Sequence, residues 1–298
     1  SDAEKADYGM TEPVQTTALN PIDGTRDWSG LFRHYTIESG LSSNTVRSVA
    51  LDGNGFMWFG TDEGLDCFDG MEFHHIPFTR KDRVDEYIST LYSFGSRLWF
   101  GSDDGLYYVN LRSDGGKGWQ HGHDKENDGI ENEVVRINTC TRQGDSITST
   151  VSRITSDADG NLWISTRGQG VFRLNIATNA LTRYEIPQAN SLINYVFIDS
   201  NSQVWALANV YGASLFRLNK SSNTFEMFTP VYEEQGMETA GITMLEDAKH
   251  NLWVGTWENG VHIIDPTTGR TQVMFHPSQP DGIRHIHSMK SIGTGEYL

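Results

Sequence analysis

Residues able to do chemistry are scattered over this chain in pairs and are not gathered in one motif. Asp62 with Glu63 and Asp103 with Asp104 are adjacent carboxylates, and glycoside hydrolysis needs two carboxylates at a set separation. His74 with His75 and His285 with His287 are the candidates for the general base of a lyase. Alternate residues of a strand point the same way, so His285 and His287 share a face. A pair of histidines without acidic partners is weak evidence for a metal. Arg167, Gln169, Asn209, Tyr211, Trp257 and Glu258 form a set suited to ligand binding, with an indole to stack on a sugar ring and polar groups to bond its hydroxyls. The chain carries no G-x-S-x-G, no phosphate-binding glycine loop and no H-E-x-x-H, so neither motif-encoded acyl transfer, nucleotide chemistry nor zinc proteolysis is indicated.

Composition narrows the partners. Among 298 residues 39 are acidic and 23 basic, a formal net charge of −16, so the average field repels nucleic acid and anionic lipid. With 37% hydrophobic residues the composition is that of a soluble globular protein, and no apolar run approaches the ~18 residues that cross a bilayer. Residues 1–30 are polar and lack the apolar core of a signal peptide. Two cysteines, Cys67 and Cys140, exclude a disulfide scaffold and a four-cysteine zinc site. Unpaired thiols are the simpler reading, and a single bridge between neighbouring repeats is the alternative. No cofactor is called for.

The elements that would position these side chains come from a repeat of about 45 residues whose marker is tryptophan. VRSVALDGNGFMWFGTDEGLDCFDG (46–70) and VSRITSDADGNLWISTRGQGVFRLN (151–175) share one frame, which returns around Trp99, Trp205 and Trp253. An aspartate stands six residues before the tryptophan at Asp52, Asp157, Asp199 and Asp247, with Ser93 as the exception. An apolar residue precedes each tryptophan, a glycine follows at Gly64, Gly105, Gly170, Gly212 and Gly260, and Asp or Asn closes most units. Each unit translates into a β-branched first strand, a D-x-x-G turn, the tryptophan strand, a T-x-x-G turn, a third strand and an outer strand. The outer strands are expected at 72–76, 181–186, 224–228 and 271–275. Four antiparallel strands per unit, repeated, specify an all-β fold, a β-propeller of four-stranded blades.

In such a fold the tryptophans are core anchors and the aspartates turn formers, too far apart to share a metal. The long interval between Trp99 and Trp163 holds a polar, glycine-rich excursion between Leu111 and Val135, expected to be exposed before the outer strand of the second blade. Residues 31–36 (LFRHYT) look like an outer strand that would complete the last blade and so hide a sheet edge. Residues 286–291 look like the first strand of a sixth blade, and Tyr297 and Leu298 fall in the two columns before its tryptophan. The expectation is a fragment, residues 31–298, with five complete blades and the opening of a sixth in an incomplete ring.

The stretch GLSSNTVRSVALDGNGFMWFGTDEGLDCFDG (40–70) resembles the two-component regulator propeller repeat: GLSSN, an apolar strand, D-x-x-G-x-x-W-x-G-T, then GL-x-x-x-D-G. The second and fourth units depart from it at Ser93 and at Ala206–Ala208. The resemblance implies propellers of seven blades in the periplasmic part of a hybrid sensor kinase, often one that detects glycan breakdown products and switches on polysaccharide-utilisation genes. It implies as partners an oligosaccharide, the other domains of the same receptor and a second copy in a homodimer. No kinase or DNA-binding part is present, so no catalytic role is expected for this chain.

Ligands of propellers usually sit on the face formed by the turns between second and third strands and by the blade-to-blade connections, which is where Arg167, Gln169, Asn209, Tyr211, Trp257 and Glu258 fall. Two enzyme alternatives stay open, a glycosidase and a polysaccharide lyase, beside an interaction scaffold without a small ligand. The D-x-x-G-x-x-W motif is close to the Asp box of sialidases, but its aspartate stands one residue early, and the arginines a sialic acid carboxylate would need are scattered.

Overall fold

The computed structural model describes residues 33–77, 87–111, 134–209, 214–232, 240–278, 280, 282–283 and 285–290. They form five antiparallel sheets, one per marker tryptophan. The first is β1 (Val46–Leu51), β2 (Met57–Thr61), β3 (Gly64–Phe68) and β4 (Phe73–Ile76), and the second is β5 (Thr90–Phe94), β6 (Arg97–Gly101), β7 (Leu106–Asn110) and β8 (Val135–Arg136). The third is β9 (Val151–Ser156), β10 (Asn161–Thr166), β11 (Gly170–Asn175) and β12 (Ala180–Tyr184), and the fourth β13 (Ile193–Ile198), β14 (Val204–Ala208), β15 (Leu215–Asn219) and β16 (Thr224–Met227). The fifth has β18 (Gly241–Glu246), β19 (Leu252–Thr256), β20 (Val261–Ile264) and β21 (Arg270–Met274), with β17 (Val231–Tyr232) added parallel to β21. First strands adjoin in the order β1, β5, β9, β13, β18, so the five sheets stand side by side as blades.

The aspartates do more than turn the chain. In blades 1, 3, 4 and 5 one carboxylate oxygen accepts the N–H groups two and four residues on, while the other accepts the tryptophan indole N–H: Asp52 to Trp58 at 2.9 Å, Asp157 to Trp163 at 2.8 Å, Asp199 to Trp205 at 2.9 Å and Asp247 to Trp253 at 3.0 Å. The five marker tryptophans are buried, none more than 9% exposed. A buried indole N–H needs an acceptor, and a turn of fixed length delivers one. Blade 2 corrects the alignment of Ser93 with these aspartates. Its first turn is one residue shorter, so Tyr92 faces Trp99 and Ser93 is a paired strand residue opposite Leu98, whereas Ala50 faces Trp58 across the longer turn. Among the described residues the Trp99 N–H has no acceptor.

Blades meet at the second residue after the tryptophan. A Cβ on Gly60 would lie 2.5 Å from Ile88 of the next blade, one on Gly101 2.5 Å from Val151, and one on Gly255 2.5 Å from Ile286, so these glycines let the next first strand approach. Blade 4 reverses the pair: Leu207 stands where the glycine would, and Gly241 opens β18, its absent Cβ 2.9 Å from Leu207 Cδ2. The first strands β1, β9, β13 and β18 shift register after their opening residue, and three side chains at or just before the start of a first strand clasp the next blade. Ser89 Oγ donates to Val151 O at 2.6 Å, Ser152 Oγ to Ile193 O at 2.5 Å and Asn194 Nδ2 to Gly241 O at 3.0 Å.

The GLSSN segment packs below this frame. Gly40 takes φ +106°, Leu41 is buried, and the Ser42 N–H and hydroxyl donate to the buried Asp66 carboxylate at 2.9 and 2.6 Å. At the far end, the Ile286 N–H donates to Thr256 O at 3.0 Å as Ile88 does to Thr61 O at 2.9 Å, and Ile286 and Met289 pack on Leu245, Trp253 and Val261. Residues 285–290 carry no strand, and neither do 33–36. Residues 1–32, most of the excursion (112–133) and 291–298 lie outside the described residues. On blade 1, Val49, Leu51 and Met57 share one sheet face and are exposed.

Candidate functional site

The turn between second and third strands is held open by a threonine. Thr61 Oγ1 donates to Gly64 O at 3.1 Å, Thr166 to Gly170 O at 2.8 Å and Thr256 to Gly260 O at 2.9 Å, and each accepts a loop N–H in return, from Glu63, Gln169 and Asn259. Gly170 and Gly260 have positive φ, and a Cβ there would meet the outer strand's carbonyls at 2.3 Å.

The residue after the threonine position occupies the same place in every such blade. The Asp62 N–H donates to Thr45 O, Arg167 to Thr150 O, Asn209 to Leu192 O and Trp257 to Ala240 O, at 2.9–3.3 Å. Arg167, Asn209 and Trp257 therefore lie on one face on successive blades, with exposed side chains, and Glu258 is exposed beside Trp257. Trp257, 40% exposed, has His285 at 4.6 Å and His287 at 5.6 Å between ring centres. His285 Nδ1 is hydrogen-bonded to the Trp257 carbonyl. Residues 285–290 carry no strand, and both histidines lie against this indole.

Gln169 is spent internally. Its Oε1 accepts from the Thr148 and Ser149 N–H groups and the Ser149 hydroxyl at 2.9–3.0 Å, and its Nε2 donates to Ser146 O at 2.9 Å. It pins the connection from blade 2 to blade 3, with both its amide oxygen and its amide nitrogen engaged there. Tyr211 lies outside the described residues.

The carboxylates and the other histidine pair are also engaged. Asp62 takes a two-point bond from Arg47 at 2.6 and 3.1 Å, which raises the Arg47 pKa. Asp104 accepts the Tyr107 hydroxyl at 3.0 Å and Asp103 the Ser102 hydroxyl at 3.1 Å. His74 and His75 point to opposite sides of β4, toward Asp69 at 3.0 Å and Asp66 at 3.1 Å. Asp69, Glu72 and His74 lie close enough to hold a cation, but Asp69 already accepts the Met71 and Glu72 N–H groups. Against the upward push of burial, those bonds and His74 bring its pKa down to about 2, and the cluster is a turn. His262, buried and bonded to the backbone of Asn259, is pushed down to about 4 by burial. Cys67 is buried and Cys140 exposed, both as free thiols, so the bridge is not formed.

Four-stranded antiparallel sheets repeated side by side define a β-propeller. The family model of the two-component regulator propeller matches two of its repeats, at residues 40–63 and 145–168. Similar solved structures include the extracellular domain of a putative one-component system from B. thetaiotaomicron, at 18% identity and a TM-score of 0.59 over 84% of this chain and 30% of that one. The chain thus spans less than a third of that domain. Virginiamycin B lyase from Staphylococcus aureus has the same fold, with 13% identity and a TM-score of 0.59 over 82% of this chain and 73% of the lyase. The WD40 propeller of Doa1 aligns at 11% identity with a TM-score of 0.57 over 85% of this chain and 74% of that one. No curated protein sequence matches the chain.

Proposed function

We propose that this chain is the ligand-sensing, extracytoplasmic propeller of a two-component signalling receptor in the periplasm, and that it takes an oligosaccharide on the face bearing Arg167, Asn209, Trp257 and Glu258. The observation that carries the reading is the equivalence of Arg167, Asn209 and Trp257 on three successive blades, each with its backbone fixed by the same hydrogen bond and its side chain left to solvent. An aromatic flanked by polar groups on one rigid face suits a sugar, whose apolar ring face stacks while its hydroxyls bond laterally. The sensor reading is favoured by the repeat type and by likeness to a bacterial extracellular domain. Binding would act by changing how the propeller packs against the rest of the receptor or a second copy, and so regulate polysaccharide-utilisation genes.

Calorimetry against a panel of oligosaccharides tests this. Saturable binding without product, weakened at least tenfold by Trp257→Ala, is the expected result. Turnover of any glycan would replace the reading with that of a propeller lyase or glycosidase, and His285→Ala would then abolish it. Absence of binding across the panel would leave an interaction scaffold.

A further inference from the structure

Blade 2 breaks the repeat where the other four are alike, and the break coincides with a cavity. Four blades satisfy their tryptophan N–H with a carboxylate. In blade 2 the shortened turn removes that carboxylate, and the buried Trp99 N–H is left without an acceptor among the described residues. Trp99 forms a wall of a cavity of about 480 Å³ between blades 2 and 3, shared with Arg97, Tyr108, Arg136, Asn138 and Asn179.

Among the described residues no acidic side chain lines this cavity, although the chain carries 39 acids against 23 bases. The Arg97 guanidinium lies over the Tyr108 ring at 4.1 Å and 5.5 Å from the Trp99 ring. Its one hydrogen bond among the described residues is a long one, to Asn110 Oδ1 at 3.4 Å. Stacking holds the planar fork in place and leaves its N–H edge for an anion. Arg136 reaches Asp104, donating to its backbone carbonyl at 2.7 Å with the carboxylate 3.7 Å away. Asn138, just after β8, and Asn179, just before β12, add amides to the lining.

We propose that this cleft binds a small organic carboxylate built on a sugar-sized ring. The ligand's carboxylate accepts from the Arg97 fork beside the Trp99 indole, while its ring packs on Tyr108 and bonds the asparagine amides. The cavity volume is in the range of small-molecule sites, and charge-assisted bonds to a guanidinium are the strong kind. The site is separate from the face bearing Trp257, so its fate does not depend on that of the oligosaccharide reading.

The test is titration of the ¹⁵N-labelled 298-residue chain with D-glucuronate, D-glucose and sulfate, reading the indole N–H signals of its 8 tryptophans, with that of Trp99 assigned by Trp99→Phe. Glucuronate should move the Trp99 signal saturably, glucose and sulfate should not, and Arg97→Gln should weaken the glucuronate response roughly ten- to a hundredfold. Arg97→Lys, which keeps the charge without the fork, should weaken it less, and serves if the glutamine variant does not fold. The proposal is overturned if glucuronate leaves the Trp99 signal unmoved, if glucose or sulfate moves it as well as glucuronate does, or if neither arginine variant changes the response.

Discussion

Blade 4 offers a direct test of how the blades are joined. Leu207 is fully buried, and Gly241 faces it where other blades set a β-branched residue against a glycine. Leu207→Gly deletes a whole buried side chain, which costs about 2–5 kcal/mol for the cavity and lost transfer, with up to about 1 kcal/mol more for a glycine inside a strand. Gly241→Ile drives a branched side chain into a site whose Cβ would already lie 2.9 Å from Leu207 Cδ2 and 3.2 Å from Val254 Cγ1, an overpacking of about 1–3 kcal/mol. Added together, the two approach the whole stability of a typical domain, about 5–15 kcal/mol. The double variant restores the arrangement of Gly60 with Ile88, and should lose no more than about 2 kcal/mol. Urea unfolding followed by tryptophan fluorescence measures the cycle, and a coupling of about 2 kcal/mol or more is expected. Losses that add to within about 0.5 kcal/mol would refute the idea that these residues are an exchanged pair. The milder cycle of Leu207→Ala with Gly241→Ala gives the same sign should a single variant not fold.

Three further outcomes follow from the same contacts. His262 titrates near about 4 when folded against 6.5 ordinarily, so the unfolded chain takes the proton first as pH falls. Stability should therefore drop between pH 6.5 and about 4, by up to about 3 kcal/mol at 1.36 kcal/mol per unit. His262→Phe, which copies Phe172 and Phe216 at the same register, should flatten that part of a stability–pH curve. Gln169→Ala should lower the urea midpoint by the equivalent of about 1–3 kcal/mol, since it strips three donors of their acceptor. Arg167→Ala should leave the midpoint within about 0.5 kcal/mol and weaken oligosaccharide binding, and the opposite pattern would exchange their roles. Burial pushes the Cys67 thiol up to about 12 while Cys140 is exposed, so a thiol reagent should label one cysteine per folded chain and both in denaturant.

The blades were legible in the sequence because their causes are local. A carboxylate six residues before a tryptophan meets its indole through a turn of set length, and a threonine three or four residues before a glycine holds the next turn, so both leave recognisable columns in the chain. Blade 2 shows the limit of that logic: a deletion of one residue put Ser93 in the aspartate column of the sequence while the fold pairs it in a strand. The exchange of Leu207 with Gly241 was invisible for another reason, since the two positions become partners only after two blades are set side by side. Long-range partners decide the candidate site as well. Gln169 and Arg167 are both polar residues of one turn, and only the backbone of 146–149, some twenty residues back, commits Gln169 to the frame. Trp257 differs from the marker tryptophans because it occupies no repeat column and no aspartate claims its indole. It is a large aromatic left 40% exposed beside two histidines, and the proposed ligand reading rests on it and on the exposed neighbours that share its position.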